Sequence, residues 1–121
     1  MTSATLVAGG SYAAREAAIA ALLQPGQRSA AILEGLPDGK PGSPLDLALD
    51  AGDIKRVAPG CLCCTGNLTM RVTLNRVLRH PPQRLFISLA NADHLEQIRA
   101  FLCAPAYQPL LRLTADLHIA P

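Results

Sequence analysis

Thr5-Leu6-Val7-Ala8-Gly9-Gly10 is a short apolar run closing on two glycines, and an alanine-rich stretch from Tyr12 to Leu23 follows it. An uninterrupted apolar run bounded by turn residues reads as a strand buried on both faces. Ala14, Ala18, Ala21 and Leu22 recur at helical spacing, which predicts a slim face able to lie close to a sheet. Pro25-Gly26 stops that helix. Strand, glycine turn and helix in this order begin a βαβ unit, whose crossover is right-handed.

The same alternation runs outward along the chain. Ala30 to Leu33 reads as a second strand and Gly35 to Pro44 as a Gly/Pro-rich loop. Ser43 then caps a short helix over Leu45–Asp50, with Pro44 at its first position. Ile54–Val57 is a third strand. Leu68 to Arg79 is the clearest amphipathic helix, with Met70, Leu74, Val77 and Leu78 on one face and Arg71, Asn75 and Arg79 on another. Leu85–Leu89 is a further strand, and Ala92–Leu102 a helix turning Leu95, Ile98 and Leu102 inward. Leu110 to Ile119 alternates as a last strand. Strands alternating with helices predict an α/β fold with a mainly parallel sheet flanked by helices. Ligands in such folds sit at the carboxyl ends of the strands, so chemistry is expected along one edge.

With 121 residues the chain is expected to form one domain with a real core. Half of the residues are hydrophobic and 17% charged, which excludes disorder, whereas only 3% are aromatic. The core must therefore be built from Ala, Leu, Ile and Val, and a base-stacking platform for single-stranded nucleic acid is not expected. The net charge of +2 is carried mostly by scattered arginines, which points to neither a nucleic-acid nor a membrane partner. Neither a signal peptide nor a membrane span is read in the chain, so a cytoplasmic location is expected. In that compartment the four cysteines favour metal or thiol chemistry over disulfides.

Three of them stand in Pro59-Gly60-Cys61-Leu62-Cys63-Cys64-Thr65-Gly66, on a loop between strand and helix. A thiophilic divalent ion such as Zn²⁺ wants several thiolates converging on it. A helix N-terminus beside the loop favours thiolate over thiol. Cys61, Cys63 and Cys64 are the candidate ligands, and Cys103, His80, His94 or His118 the candidates for a fourth position. A strained Cys61–Cys63 disulfide or inert burial are the competing readings of the cluster, and burial as a small apolar residue is the expectation for Cys103.

The first glycine turn has the placement of a phosphate loop, G-x-x-x-x-G-K-[ST], but from Gly9 the last three positions hold Ala14, Arg15 and Glu16. Gly9, Gly10 and Arg15 are the candidate nucleotide contacts. Glu16 would bring a carboxylate where a hydroxyl should hold Mg²⁺.

Taken together, the chain resembles the nucleotide-binding domain of the CobW-type metallochaperone GTPases, relatives of the nickel-insertion GTPases of hydrogenase and urease. Gly60-Cys61-Leu62-Cys63-Cys64-Thr65 is similar to that family's Gly-Cys-x-Cys-Cys-Thr metal motif. Leu85–Leu89 with Ala92-Asp93 resembles a worn form of its Glu-Ser/Thr-x-Gly-Leu-Ala-Asp-Pro segment, and Glu34 is similar to the Glu of its Asn-Glu-Phe-Gly segment. The resemblance implies a P-loop-type domain over 1–121, incomplete at its C-terminus, and a metal, GTP and Mg²⁺ as ligands. The phosphate-loop Gly, Lys and Thr are replaced, Ser88-Leu89-Ala90-Asn91 lacks the acidic switch segment, and no Asn-Lys pair exists to read guanine. The leading expectation is a non-hydrolysing metal-binding relative that buffers a metal or delivers it to an accepting protein. A GTPase with a divergent loop, a regulatory interaction module and a thiol redox switch are the alternatives. The sequence sets no oligomeric state.

Overall fold

The computed structural model describes residues 2–35, 45, 49, 53–57, 65–90, 93 and 95–119, and for 65–69 the backbone alone. The elements run β1 (Thr2–Gly9), α1 (Tyr12–Leu22), β2 (Ser29–Glu34), β3 (Ile54–Val57), α2 (Thr65–Val77), β4 (Arg84–Ser88), α3 (Leu95–Leu102), β5 (Leu111–Leu113) and β6 (Leu117–Ile119). The fold is α/β, as the alternation predicts. Six strands form one sheet in the order β3-β2-β4-β1-β5, with β6 also on β1, and every described pairing is parallel.

Helices cover both faces, which is why the middles of β1, β2 and β4 are apolar on both sides. Ala4, Leu6, Ala8, Ala30, Ile32, Leu85 and Ile87 alternate onto the face that meets Met70 and Leu74 of α2 and Leu95, Ile98 and Leu102 of α3. Val7, Ala31, Leu33, Ile54 and Phe86 point to the other face, against Ile19 of α1. The inward faces expected for α2 and α3 are the observed ones, although α2 begins at Thr65, directly after the cysteine motif. The short helix expected over Leu45–Asp50 and its Ser43 cap fall mostly outside the described residues. Leu45 and Leu49 are described: both pack on the α1 face, joined by a Leu49 N–H to Leu45 C=O bond of 2.9 Å.

Two expectations need correction. The slim alanine face of α1 is not its buried face: Arg15, Glu16 and Ile19 are buried, while Ala21 is exposed and Leu22 is 39% exposed. Two charged side chains can turn inward here because each finds partners there. The tail is two strands rather than one. At the break, the Thr114 N–H donates to the Ala4 carbonyl at 2.9 Å and its hydroxyl meets Thr5 Oγ1 at 2.5 Å. Asp116 forms an ion pair with Arg99 of α3. These contacts turn 114–116 out of the ladder before β6 rejoins β1.

Tyr107, after α3, donates its hydroxyl to Asn75 Oδ1 at 3.0 Å and packs on Phe101 with ring centroids 5.2 Å apart. Burial raises its phenol above the ordinary 10.0, with Arg71 pulling the other way. A raised acid contributes stability that is complete below its unfolded value and is lost as pH rises through the folded one. Urea midpoints should therefore hold up to about pH 10 and then fall, and Tyr107→Phe should flatten that alkaline fall.

Candidate functional site

The α1 crossover carries the chain from β1 over β4 to β2, and the α3 crossover carries it from β4 over β1 to β5. The connections thus diverge between β1 and β4, which opens the ligand crevice of an open α/β sheet at the carboxyl ends of these two strands. Gly9 and Gly10 form the turn here with φ of +88° and +59°, the left-handed region that favours glycine. Gly9 also pairs with Ile119 of β6, so closely that a Cβ would lie 2.5 Å from the Ile119 carbonyl oxygen. Gly9→Ala should cost about 2 kcal/mol or more, since strain at φ and a backbone clash combine. A fall in melting temperature measures it.

Arg15 fills the crevice. Its residue is 4% exposed. Nε donates to Ser88 Oγ of β4 at 2.8 Å, and Nη1 donates to the carbonyls of Gly9 at 3.1 Å and Gly10 at 3.0 Å. Burial pushes the guanidinium below its ordinary pKa, opposed by Tyr12 and Glu34. Glu34, also buried, ends β2 and accepts the Ala90 N–H at 3.1 Å. Gly35 follows with φ +144°, and a Cβ there would stand 2.7 Å from the Tyr12 ring.

The glycine turn therefore presents carbonyls to a cation, the reverse of a loop that presents N–H groups to phosphate. At the start of α1 the Ala14 N–H is already taken by the Ser11 side chain at 3.0 Å. Glu16 is buried and pairs with Arg56 of β3 at 3.1 Å. These residues do not fit a magnesium–nucleotide. Arg15 occupies the crevice, the loop carbonyls are engaged, and a carboxylate held by Arg56 stands where the metal-binding hydroxyl would be. The Arg15 and Glu16 contacts were not legible beforehand. The only hint was two charges, one turn past a Gly-Gly pair, in an otherwise alanine-rich helix.

Cys61, Cys63 and Cys64 lie outside the described residues, between the end of β3 at Val57 and the start of α2 at Thr65. His94 lies outside them too. Cys103 is exposed, against the expectation of burial, because Leu102 takes the inward position and the next residue turns away from α3. His80 and His118 are exposed. Among the described residues no three His, Cys, Asp or Glu side chains gather as a metal site. Nor is any described helix long and apolar enough to cross a membrane.

Over 75 residues the chain is 41% identical to zinc chaperone YeiR of Escherichia coli (strain K12), a match covering 60% of this chain and 23% of that protein. The chain thus spans about a quarter of that relative's length. The likeness supports a CobW-type relationship without selecting a member of the family. No family model matches the chain, and no solved structure matches it.

Proposed function

We propose that this chain is a CobW-like metal carrier that works without hydrolysing nucleotide. It binds zinc, or another thiophilic divalent ion, through Cys61, Cys63 and Cys64, and passes it to an accepting protein by exchange of thiolate ligands. The observation that carries this reading is the motif Gly60-Cys61-Leu62-Cys63-Cys64-Thr65, joined to the likeness with a zinc chaperone. The position of the motif supports it. In sequence the three thiols directly precede Thr65, where α2 begins, and a helix N-terminus favours thiolate over thiol. The ion is cargo: loading releases the thiol protons, and delivery replaces these thiolates by those of the acceptor.

The filled crevice supports the absence of hydrolysis. Phosphoryl transfer needs loop N–H groups, a Lys and Mg²⁺ around the phosphates. Here Arg15 is committed to Gly9, Gly10 and Ser88, and Glu16 to Arg56. An anaerobic Co²⁺ titration of the reduced protein tests the metal reading. Intense thiolate-to-metal absorption saturating at one equivalent and displaced by Zn²⁺ is expected; a flat titration overturns it. Saturable binding of a fluorescent guanine nucleotide with Mg²⁺, much tighter than that of its adenine counterpart and shifting the amide resonances of 9–11 and 88–90, would overturn the nucleotide-free reading of the crevice independently.

A further inference from the structure

At the amino-terminal edge of the sheet, opposite the crevice, Arg28, Asp53, Lys55, Arg76 and His80 surround a cavity of about 150 Å³ floored by Ala30. Three elements bring them together: the residues leading into β2, the start of β3 and the end of α2. Arg28 is fixed in place, with Nη1 donating to the His80 carbonyl at 2.5 Å and Nη2 to Asp53 Oδ1 at 3.2 Å. That pair is neutral within itself. Lys55 and Arg76 remain, and among the described residues neither has an acidic partner. His80 lines the same rim.

Among the described residues, the opposing charge beyond Asp53 is the C-terminus of α2, worth about half an elementary negative charge. Its effect is reduced because the Arg76 and Val77 carbonyls accept the Arg79 and His80 N–H groups, both at 3.3 Å. Two unpaired cations outweigh it. Arg76 sits in the last helical turn, where it would be favoured for the dipole alone. That preference does not account for Lys55, which comes from the sheet. Nor does it account for Arg28, which the His80 carbonyl and Asp53 hold beside the cavity.

We propose that this cavity is a binding site for a phosphate-class oxyanion, free or carried as the phosphate group of a small molecule. Lys55 and Arg76 supply the charge, and Arg28, braced by Asp53, supplies the fixed donors. The site reads the oxyanion and not what it is attached to. It stands apart from the metal and nucleotide readings, because it uses none of the cysteines and none of Gly9, Gly10 and Arg15, and lies at the opposite end of the strands from the crevice.

Titration calorimetry of the whole chain with inorganic phosphate, pyrophosphate, ATP and GTP tests it, at ionic strength held constant with chloride. Saturable binding is expected for all four, strongest for the polyphosphates, with ATP and GTP alike. Lys55 is half-buried and Arg76 exposed, so a Lys55→Ala/Arg76→Ala variant should stay folded and lose affinity at least about tenfold. Circular dichroism confirms that it is folded. Amide resonances of 28–30, 53–55 and 76–80 should shift, with those of 9–11 and 88–90 unmoved. Undiminished affinity in the double variant, a response no larger than that of matched chloride, or shifts centred on 9–11 would each overturn the site. GTP binding much tighter than ATP would do the same, by moving the ligand to the crevice.

Discussion

Replacing Arg15 with Ala should lower stability by about 3 kcal/mol, among the largest effects expected of any single exposed-to-solvent-free change in this chain. The guanidinium donates to three acceptors, the carbonyls of Gly9 and Gly10 and the hydroxyl of Ser88. A hydrogen bond to a charged group contributes about 1.5–3 kcal/mol, and losing it leaves the buried acceptor without a donor. The loss also removes the positive neighbour of buried Glu34. Water can enter the opened crevice and recover part of this, which keeps the estimate below the sum of three bonds. Urea unfolding should give an unchanged slope and a lower midpoint, and the melting temperature should drop by about 10 °C. Arg15→Lys should recover only part, since a point charge cannot serve acceptors on both β1 and β4 at once. Equal stability of wild type and Arg15→Ala would mean that the crevice does not depend on its internal cation.

The second large effect is on metal affinity. Changing Cys63 and Cys64 together to Ser should weaken Zn²⁺ binding by at least about 100-fold, since thiolate sites of this kind draw on the order of 10 kcal/mol or more from a few ligands. A hydroxyl is a poor substitute, being neither soft nor readily deprotonated. Competition with a chromophoric chelator measures the change, and the melting temperature of the metal-free proteins is followed in parallel so that a loss of fold is not read as a loss of ligand. Binding that survives the double substitution would remove these cysteines from the site.

The strands were legible because burial on both faces leaves an apolar run that little else produces, as in Leu6-Val7-Ala8 and Leu85-Phe86-Ile87. The helices α2 and α3 were legible because each has one apolar stripe, Met70–Leu74 and Leu95–Ile98–Leu102. The buried face of α1 was not, because six of its eleven positions are Ala and periodicity then carries little information. That face is chosen in large part by what Arg15 and Glu16 meet at Ser88 and Arg56, dozens of residues away in sequence. The split of the tail was hidden for the same reason: Thr114 and Asp116 leave the ladder for partners at Ala4, Thr5 and Arg99. In the candidate site, the residues missing from the phosphate pattern could be read directly. What replaced their function, a cation held by carbonyls, needed the φ angles of Gly9 and Gly10 and the register of β1 on β4.

The position of β1 has a consequence for how the chain is made. Of the six strands this one is made first, yet its neighbours on the two sides are residues 84–88 and 111–119. During synthesis an apolar strand with both edges unpaired must wait for residues 84–88 and 111–119 to be translated before it can be sequestered. Such a strand is the part of a nascent chain that holding chaperones bind and that aggregates when they are scarce. Parallel pairing over so long a separation is also slow, because loop closure precedes any compensating contact. The yield of folded protein in a cell should therefore respond to translation rate and chaperone supply more strongly than its final stability would suggest.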